Sequence, residues 1–134
     1  MRQIVLTLLI ILSLPGFYSC KKCHVDPSNA IIGNWELRKT SGGLSGTTTV
    51  YPLGSGYTLK FTGNTYEWYD NGQLFRNGTY SIVNDTSREE FSYKLVLNYQ
   101  SYTAPYYLKF VADQIVLSEY AVADGYDHLY QRIQ

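Results

Sequence analysis

From residue 31 onward, apolar and polar side chains alternate in short runs, the pattern of β-strands that bury one face. The longest strict alternation runs from Phe91 to Tyr99, where every second residue is aromatic or leucine. Asn71-Gly72 is the strongest of the turn signals between the runs, because this dipeptide tolerates the positive φ of a tight hairpin. No run has the period of an amphipathic helix. The runs predict strands at 31–40, 57–62, 65–69, 73–83, 91–99, 106–112, 114–121 and 126–133.

This series of about eight strands joined by short turns predicts an all-β fold. We expect a single antiparallel up-and-down barrel, because closure removes the exposed edges of a meander. A barrel of this size is just wide enough for its own side chains or for one small ligand. A β-sandwich is the alternative architecture. The Gly- and Ser-rich segment 41–56 is predicted as a long surface loop, within which 47–51 is a candidate short strand.

The first residues contain the order of an export signal. A positive start precedes an apolar run over 4–14, and a Pro-Gly turn then leads to Ser19-Cys20. This order is typical of a secretory signal that ends in a bacterial lipobox, in which Cys20 becomes the lipidated residue. The chain is therefore predicted to contain a signal peptide at 1–19, a lipid-anchored tether at 20–30 and a barrel domain at 31–134.

Cys20 also begins a second motif, Cys20-x-x-Cys23-His24, which is the pattern of covalent c-type haem attachment. One cysteine cannot carry both a lipid and a haem thioether, so the two interpretations exclude each other. A haem c domain usually offers a second axial ligand among helices, whereas the only methionine is Met1 and the only other histidine is His128. Lipidation is the favoured interpretation. Haem attachment, or ordinary cleavage that leaves a disulfide or free thiols, is the alternative.

Composition and motifs narrow the function classes. Eleven basic and eleven acidic residues cancel, which makes nucleic acid an unfavourable partner. The fourteen tyrosines favour β-structure and are also common on binding surfaces. The domain contains one histidine, no nucleophile elbow, no zinc-protease motif and no phosphate loop, and Glu89-Glu90 is interpreted as a solvated turn. We therefore expect a protein without catalytic residues, metal ligands or cofactor.

Gly33-x-Trp35 opens the first predicted strand, a Gly-Thr-Tyr-Ser-Ile segment follows at 78–82, and Arg132 lies near the end of the last strand. These features resemble the lipocalin-like domains of bacterial lipoproteins, especially those of Bacteroidetes. The resemblance covers roughly residues 31–133 through short motifs. It implies a barrel with Gly33 and Trp35 as structural residues, the tryptophan at the closed end, and Arg132 packed across its ring.

A second interpretation of Arg132 comes from strand periodicity, which places it on one face with Tyr126, His128 and Tyr130. If that face points inward, it supplies a cation, an imidazole and two phenols that would hold a carboxylate or phenolate. Fatty-acid-binding relatives of lipocalins use Arg and Tyr on the last strand in this way. The alternative is that the face covers the outside or plugs the end of the barrel.

Together these features predict a non-catalytic lipoprotein of the cell envelope, anchored to the outer membrane. Its barrel is expected to bind a small, mainly apolar or amphipathic ligand. The alternative is a protein-interaction or accessory module that docks an envelope protein. In that case aromatic side chains fill the barrel, and the candidates are Trp35, Phe61, Tyr66, Trp68 and Phe91. The volume of any cavity distinguishes the two hypotheses, and the haem alternative predicts a coloured protein.

Overall fold

The computed structural model describes residues 26–134. The predictions for the signal peptide, for Cys20 as the lipidated residue and for the Cys20-x-x-Cys23-His24 motif lie outside the described residues. The described part contains no helix that is long and apolar enough to cross a membrane.

The chain forms one short helix followed by nine strands. Their bounds are α1 Pro27–Ala30, β1 Gly33–Gly42, β2 Thr47–Val50, β3 Thr58–Thr62, β4 Thr65–Asp70, β5 Gln73–Asn84, β6 Tyr93–Tyr99, β7 Tyr102–Val111, β8 Gln114–Glu119 and β9 Tyr126–Ile133. The candidate strand in the long loop is β2. The helix lies in the segment predicted as a tether, where the Asp26 side chain caps it by accepting a hydrogen bond from the Ser28 N–H at 2.9 Å.

The predicted all-β fold and barrel are confirmed, and the β-sandwich alternative is wrong. Every strand pairing is antiparallel. Strands β3 to β9 pair in chain order, and β1 pairs with both β3 and β9, which closes a ring of eight strands. The ninth strand, β2, pairs with residues 39–42 in the second half of β1 and extends the sheet beside the ring.

A bulge in β1 decides which side chains enter the barrel. Trp35 and Leu37 are buried inside, and the pairing with β9 then shifts between Leu37 and Lys39. After this shift Thr40 lies opposite His128 on the inner side, whereas Lys39 is exposed. Strict alternation would put Lys39 on the face of Trp35, but the bulge adds one residue to the strand and Lys39 is exposed.

The starts of β7 and β6 are among the strand bounds that differ from the prediction. β7 begins at Tyr102, four residues earlier than expected, because Pro105 pairs opposite Val96 without ending the strand. β6 begins at Tyr93, so Phe91 precedes it and packs against the outward-facing Tyr107, with ring centroids 5.5 Å apart. Phe91 therefore does not help to fill the barrel interior.

The two ends of the barrel are built differently. At the closed end, where β1 begins and β9 ends, α1 contacts β5, and the fully buried Ile31 follows the helix as its C-cap residue. The open end carries the β1–β2 hairpin and the turns at 71–72, 100–101 and 120–125. The largest fully buried side chains pack the interior, and they are Trp35, Tyr66, Phe61, Ile31, Leu59, Leu95, Leu108 and Ile115.

Candidate functional site

A cavity of about 360 Å³ lies at the open end of the barrel. Its lining side chains are Leu37, Thr40, Tyr51, Tyr57, Trp68, Asp70, Phe75, Tyr126, His128 and Tyr130. Most of these are aromatic. Small-molecule sites commonly enclose about 300–1,000 Å³ and are lined mainly by apolar and aromatic groups with a few polar ones. The cavity therefore has the size and the composition of a site for one small ligand.

Three of the four residues grouped on the last strand line this cavity. Tyr126, His128 and Tyr130 alternate along β9 and point into the open half of the barrel. Arg132 continues the same alternation, but β9 runs towards the closed end, so its side chain lies outside the cavity. The two-residue period of a strand places these four residues on one face, but it does not tell how far along the barrel axis each side chain lies.

Arg132 instead holds the closed end together. Its guanidinium carbon lies 4.2 Å from the centre of the Trp35 ring, a cation–π contact. Nη1 donates to the carbonyl of Ile32 at 2.7 Å and Nη2 to that of Ala30 at 2.5 Å. The Trp35 indole donates to the carbonyl of Ile31 at 2.6 Å. These contacts tie the chain before β1 to the last strand.

Gly33 leaves the space through which Arg132 passes. A Cβ atom at this position would lie 2.5 Å from Nη1 of Arg132. The residue also has a φ of 136°, which side-chain-bearing residues rarely adopt. The Gly33-x-Trp35 spacing is thus explained physically, because the tryptophan provides the ring and the glycine provides room for the cation above it.

Two buried polar groups of the cavity wall, His128 and Tyr130, are neutral at physiological pH. Burial lowers the pKa of His128, and the nearby Glu119 and Asp127 only partly oppose this change. Its Nδ1 lies 3.4 Å from the Thr40 hydroxyl. Burial raises the pKa of Tyr130 far above its usual range, so this phenol stays protonated. The cavity wall therefore offers hydrogen-bonding groups without a fixed charge at these positions.

Several lining residues were not identified from the sequence as site residues. Thr40 enters the cavity because of the β1 bulge, and Phe75 because of a second irregularity. In that second case Trp68 pairs with Arg76 and the next residue of β4 pairs with Leu74, so Phe75 is the extra residue. Trp68 and Tyr57 did carry a signal, since the alternation within their predicted strands indicates an inward position.

The aromatic residues proposed to fill the barrel divide between three places. Trp35, Phe61 and Tyr66 are buried in the core. Trp68 lines the cavity, and Phe91 lies on the outer wall. The closed half of the barrel is therefore filled by side chains, while the open half retains space.

Residues 26–134 contain no group of three or more His, Cys, Asp or Glu side chains placed to hold a metal ion. The models of known protein families, the curated proteins and the solved structures show no significant match to this chain.

Proposed function

We propose that this protein binds one small, mainly apolar ligand in the cavity at the open end of the barrel. The observation that carries the proposal is an aromatic-lined space of about 360 Å³ in a barrel whose opposite end is tightly packed. Burying the apolar body of a ligand against these rings would be favourable in free energy, because it removes apolar surface from water. The hydroxyls and the imidazole of the wall would fix its orientation by hydrogen bonds.

The geometry supports binding rather than catalysis. Thr40 and His128 form a hydroxyl–imidazole pair, the kind of pair from which a nucleophile and its base can be built. Their separation of 3.4 Å is long for a hydrogen bond, and in the described part of the chain no carboxylate hydrogen-bonds the imidazole to orient it. We therefore assign these two residues to ligand contact.

The binding test uses the full chain with Cys20→Ala, so that no lipid or detergent competes for an apolar probe. N-phenylnaphthylamine is a neutral probe whose fluorescence rises in an apolar site. Thr40→Trp, which fills the cavity from β1, should weaken its binding at least tenfold. The matched control is Lys39→Trp, the same new side chain on the exposed face of the neighbouring position, and it should bind like the parent. Equal binding by both variants would refute the cavity as the site.

We also propose that Cys20 is lipidated and anchors the protein in the cell envelope. The support is the sequence pattern that ends at Ser19-Cys20. The first described residue, Asp26, lies at the closed end, so the cavity opens at the end opposite to this attachment. Cys20→Ala should move the protein from the membrane to the soluble fraction. Retention of this variant at the membrane would exclude the anchor. A Soret band from the wild-type protein, expressed with haem-maturation enzymes, would favour the haem alternative.

A second candidate function is docking of an envelope protein at the open end. Large apolar side chains are exposed on the loops there, including Leu44 at 93% and Leu53 at 81% exposure. Exposed apolar clusters of this kind often mark interaction sites. Native mass spectrometry of the protein from its own host separates the two candidates. A small added mass supports ligand binding. A protein adduct supports docking if the double variant Leu44→Ser, Leu53→Ser no longer forms it.

A further inference from the structure

Arg76 is a cation on the inner side of the barrel near its mouth. It lies on β5 directly opposite Trp68, a residue of the cavity wall, and residues that pair directly share one face of a sheet. Its guanidinium carbon lies 5.0 Å from the ring centre of Phe75, 5.2 Å from that of Tyr99 and 5.8 Å from that of Tyr102. Aromatic faces thus surround a half-buried guanidinium beside the cavity.

This cation has no carboxylate partner within residues 26–134. The ion pairs of that part of the chain join Arg38 to Glu36 and Lys60 to Glu67. Two other carboxylates border the mouth. Glu119 accepts a hydrogen bond from the Tyr126 backbone N–H at 3.2 Å, and Asp70 lies at the rim, but neither comes within 4.0 Å of Arg76.

The hydroxyl of Tyr66 provides a second, independent sign of a missing polar partner. Tyr66 is 1% exposed, and its hydroxyl has no hydrogen-bond partner in the described structure. Leaving a buried hydroxyl without a partner costs free energy that a phenylalanine at this place would not cost. The ring passes over Gly78, where a Cβ atom would approach its Cε1 to 3.2 Å.

Arg76 and Tyr66 are diagonal neighbours on the inner face, because Trp68 pairs with Arg76 and Tyr66 pairs with Gly78, two residues further along β5. Burial raises the pKa of Tyr66, and Arg76 opposes that rise. Burial also raises the pKa of Tyr106, and Arg76 opposes the rise there too. Both phenols are therefore protonated at physiological pH and available as hydrogen-bond donors close to an arginine.

We propose that Arg76 and the Tyr66 hydroxyl form an anion subsite beside the cavity, so that the ligand carries a carboxylate or similar anionic group on its apolar body. This inference rests on the proposed function and names its ligand class. Guanidinium and phenol both donate to such a group, and burying it between aromatic rings strengthens the attraction because little water screens it. The anion would also accept a hydrogen bond from the Tyr66 hydroxyl, which otherwise has no partner in the described structure.

Two probes with the same aromatic body test the subsite in the full chain with Cys20→Ala. Anilinonaphthalene sulfonate carries an anion, and N-phenylnaphthylamine lacks it. Arg76→Gln should weaken binding of the sulfonate about tenfold, the size of one lost charged hydrogen bond, and leave the neutral probe unchanged. Arg88→Gln is the matched control, because Arg88 lies on the outer wall and donates to Ser118 Oγ at 3.1 Å. It should change neither affinity.

Tyr66→Phe removes only the hydroxyl and keeps the test valid if Arg76→Gln fails to fold. It should weaken the sulfonate several-fold without lowering the thermal midpoint, which a purely structural hydroxyl would not do. If the Cys20→Ala parent and its Arg76→Gln and Tyr66→Phe variants bind the sulfonate equally and still bind the neutral probe, the subsite is refuted and the proposed function stands. If the parent does not bind the neutral probe, the proposed function itself is refuted.

Discussion

The closed and open ends of this barrel use the same residue types in opposite ways. At the closed end, the indole of Trp35, the guanidinium of Arg132 and the hydroxyl of Tyr80 all hydrogen-bond to backbone carbonyls. Near the open end, the guanidinium of Arg76 has no carboxylate partner within residues 26–134, and the hydroxyl of the buried Tyr66 has no hydrogen-bond partner there. Each end has an arginine over aromatic rings, but only one of the two is internally satisfied.

Under the proposed function, the closed end stabilises the fold and the open end binds the ligand. Satisfied polar groups next to a packed core determine one conformation and resist unfolding. Unsatisfied groups beside a cavity reduce stability and are often found where a ligand supplies the missing partner. Variants at the closed end should therefore mainly reduce the free energy of unfolding, whereas variants at the open end should mainly reduce affinity for the probes.

The largest effect is expected for Trp35→Ala at the closed end. Trp35 is 1% exposed, and truncating a buried tryptophan costs about 3–5 kcal/mol, a large share of the stability of a small domain. The variant should lose many degrees in its thermal midpoint, followed by circular dichroism, or fail to fold. A midpoint equal to that of the wild type would contradict the assignment of the closed end as the stabilising half.

Arg132→Gln should have the second largest effect. The change removes two hydrogen bonds to carbonyls and the contact with the Trp35 ring, so we expect a loss of about 1–2 kcal/mol in the free energy of unfolding. Urea unfolding measures it. Affinity for both naphthylamine probes should stay unchanged, because Arg132 lies outside the cavity. Weaker sulfonate binding would restore Arg132 as the ligand-binding cation and weaken the case for Arg76.

Trp68→Ala provides the open-end counterpart of the first variant. Trp68 is only partly buried and faces the cavity, so its truncation should cost about 1 kcal/mol, clearly less than that of Trp35. Because its ring forms part of the wall, affinity for the neutral probe should fall several-fold. A stability loss as large as that of Trp35→Ala would show that the open half is as tightly coupled to the core as the closed half.

The strand series and the closed barrel could be predicted because alternation is a local signal, and the run from Phe91 to Tyr99 shows it in five successive odd positions. Alternation alone does not predict the contact between Arg132 and the Trp35 ring, because it depends on the pairing of β1 with β9. The cavity wall could not be predicted fully, because bulges depend on cross-strand register. The bulge after Leu37 and the extra residue Phe75 determine which side chains enter the open end.

The smallest expected effect concerns the pH dependence of the open end. Burial lowers the pKa of His128 in the folded protein, while in the unfolded chain this imidazole titrates at about 6.5. As the pH falls below that value, the unfolded state takes up the proton more readily. The contribution of His128 to stability is therefore lost on acidification and is fully present above that pH.

His128→Gln removes this contribution, since glutamine does not titrate. The difference in thermal midpoint between pH 7.5 and pH 5.5 should therefore be smaller in the variant than in the wild type. An equal difference would show that His128 is solvated, because a histidine in open contact with water would keep its ordinary pKa and contribute no such slope.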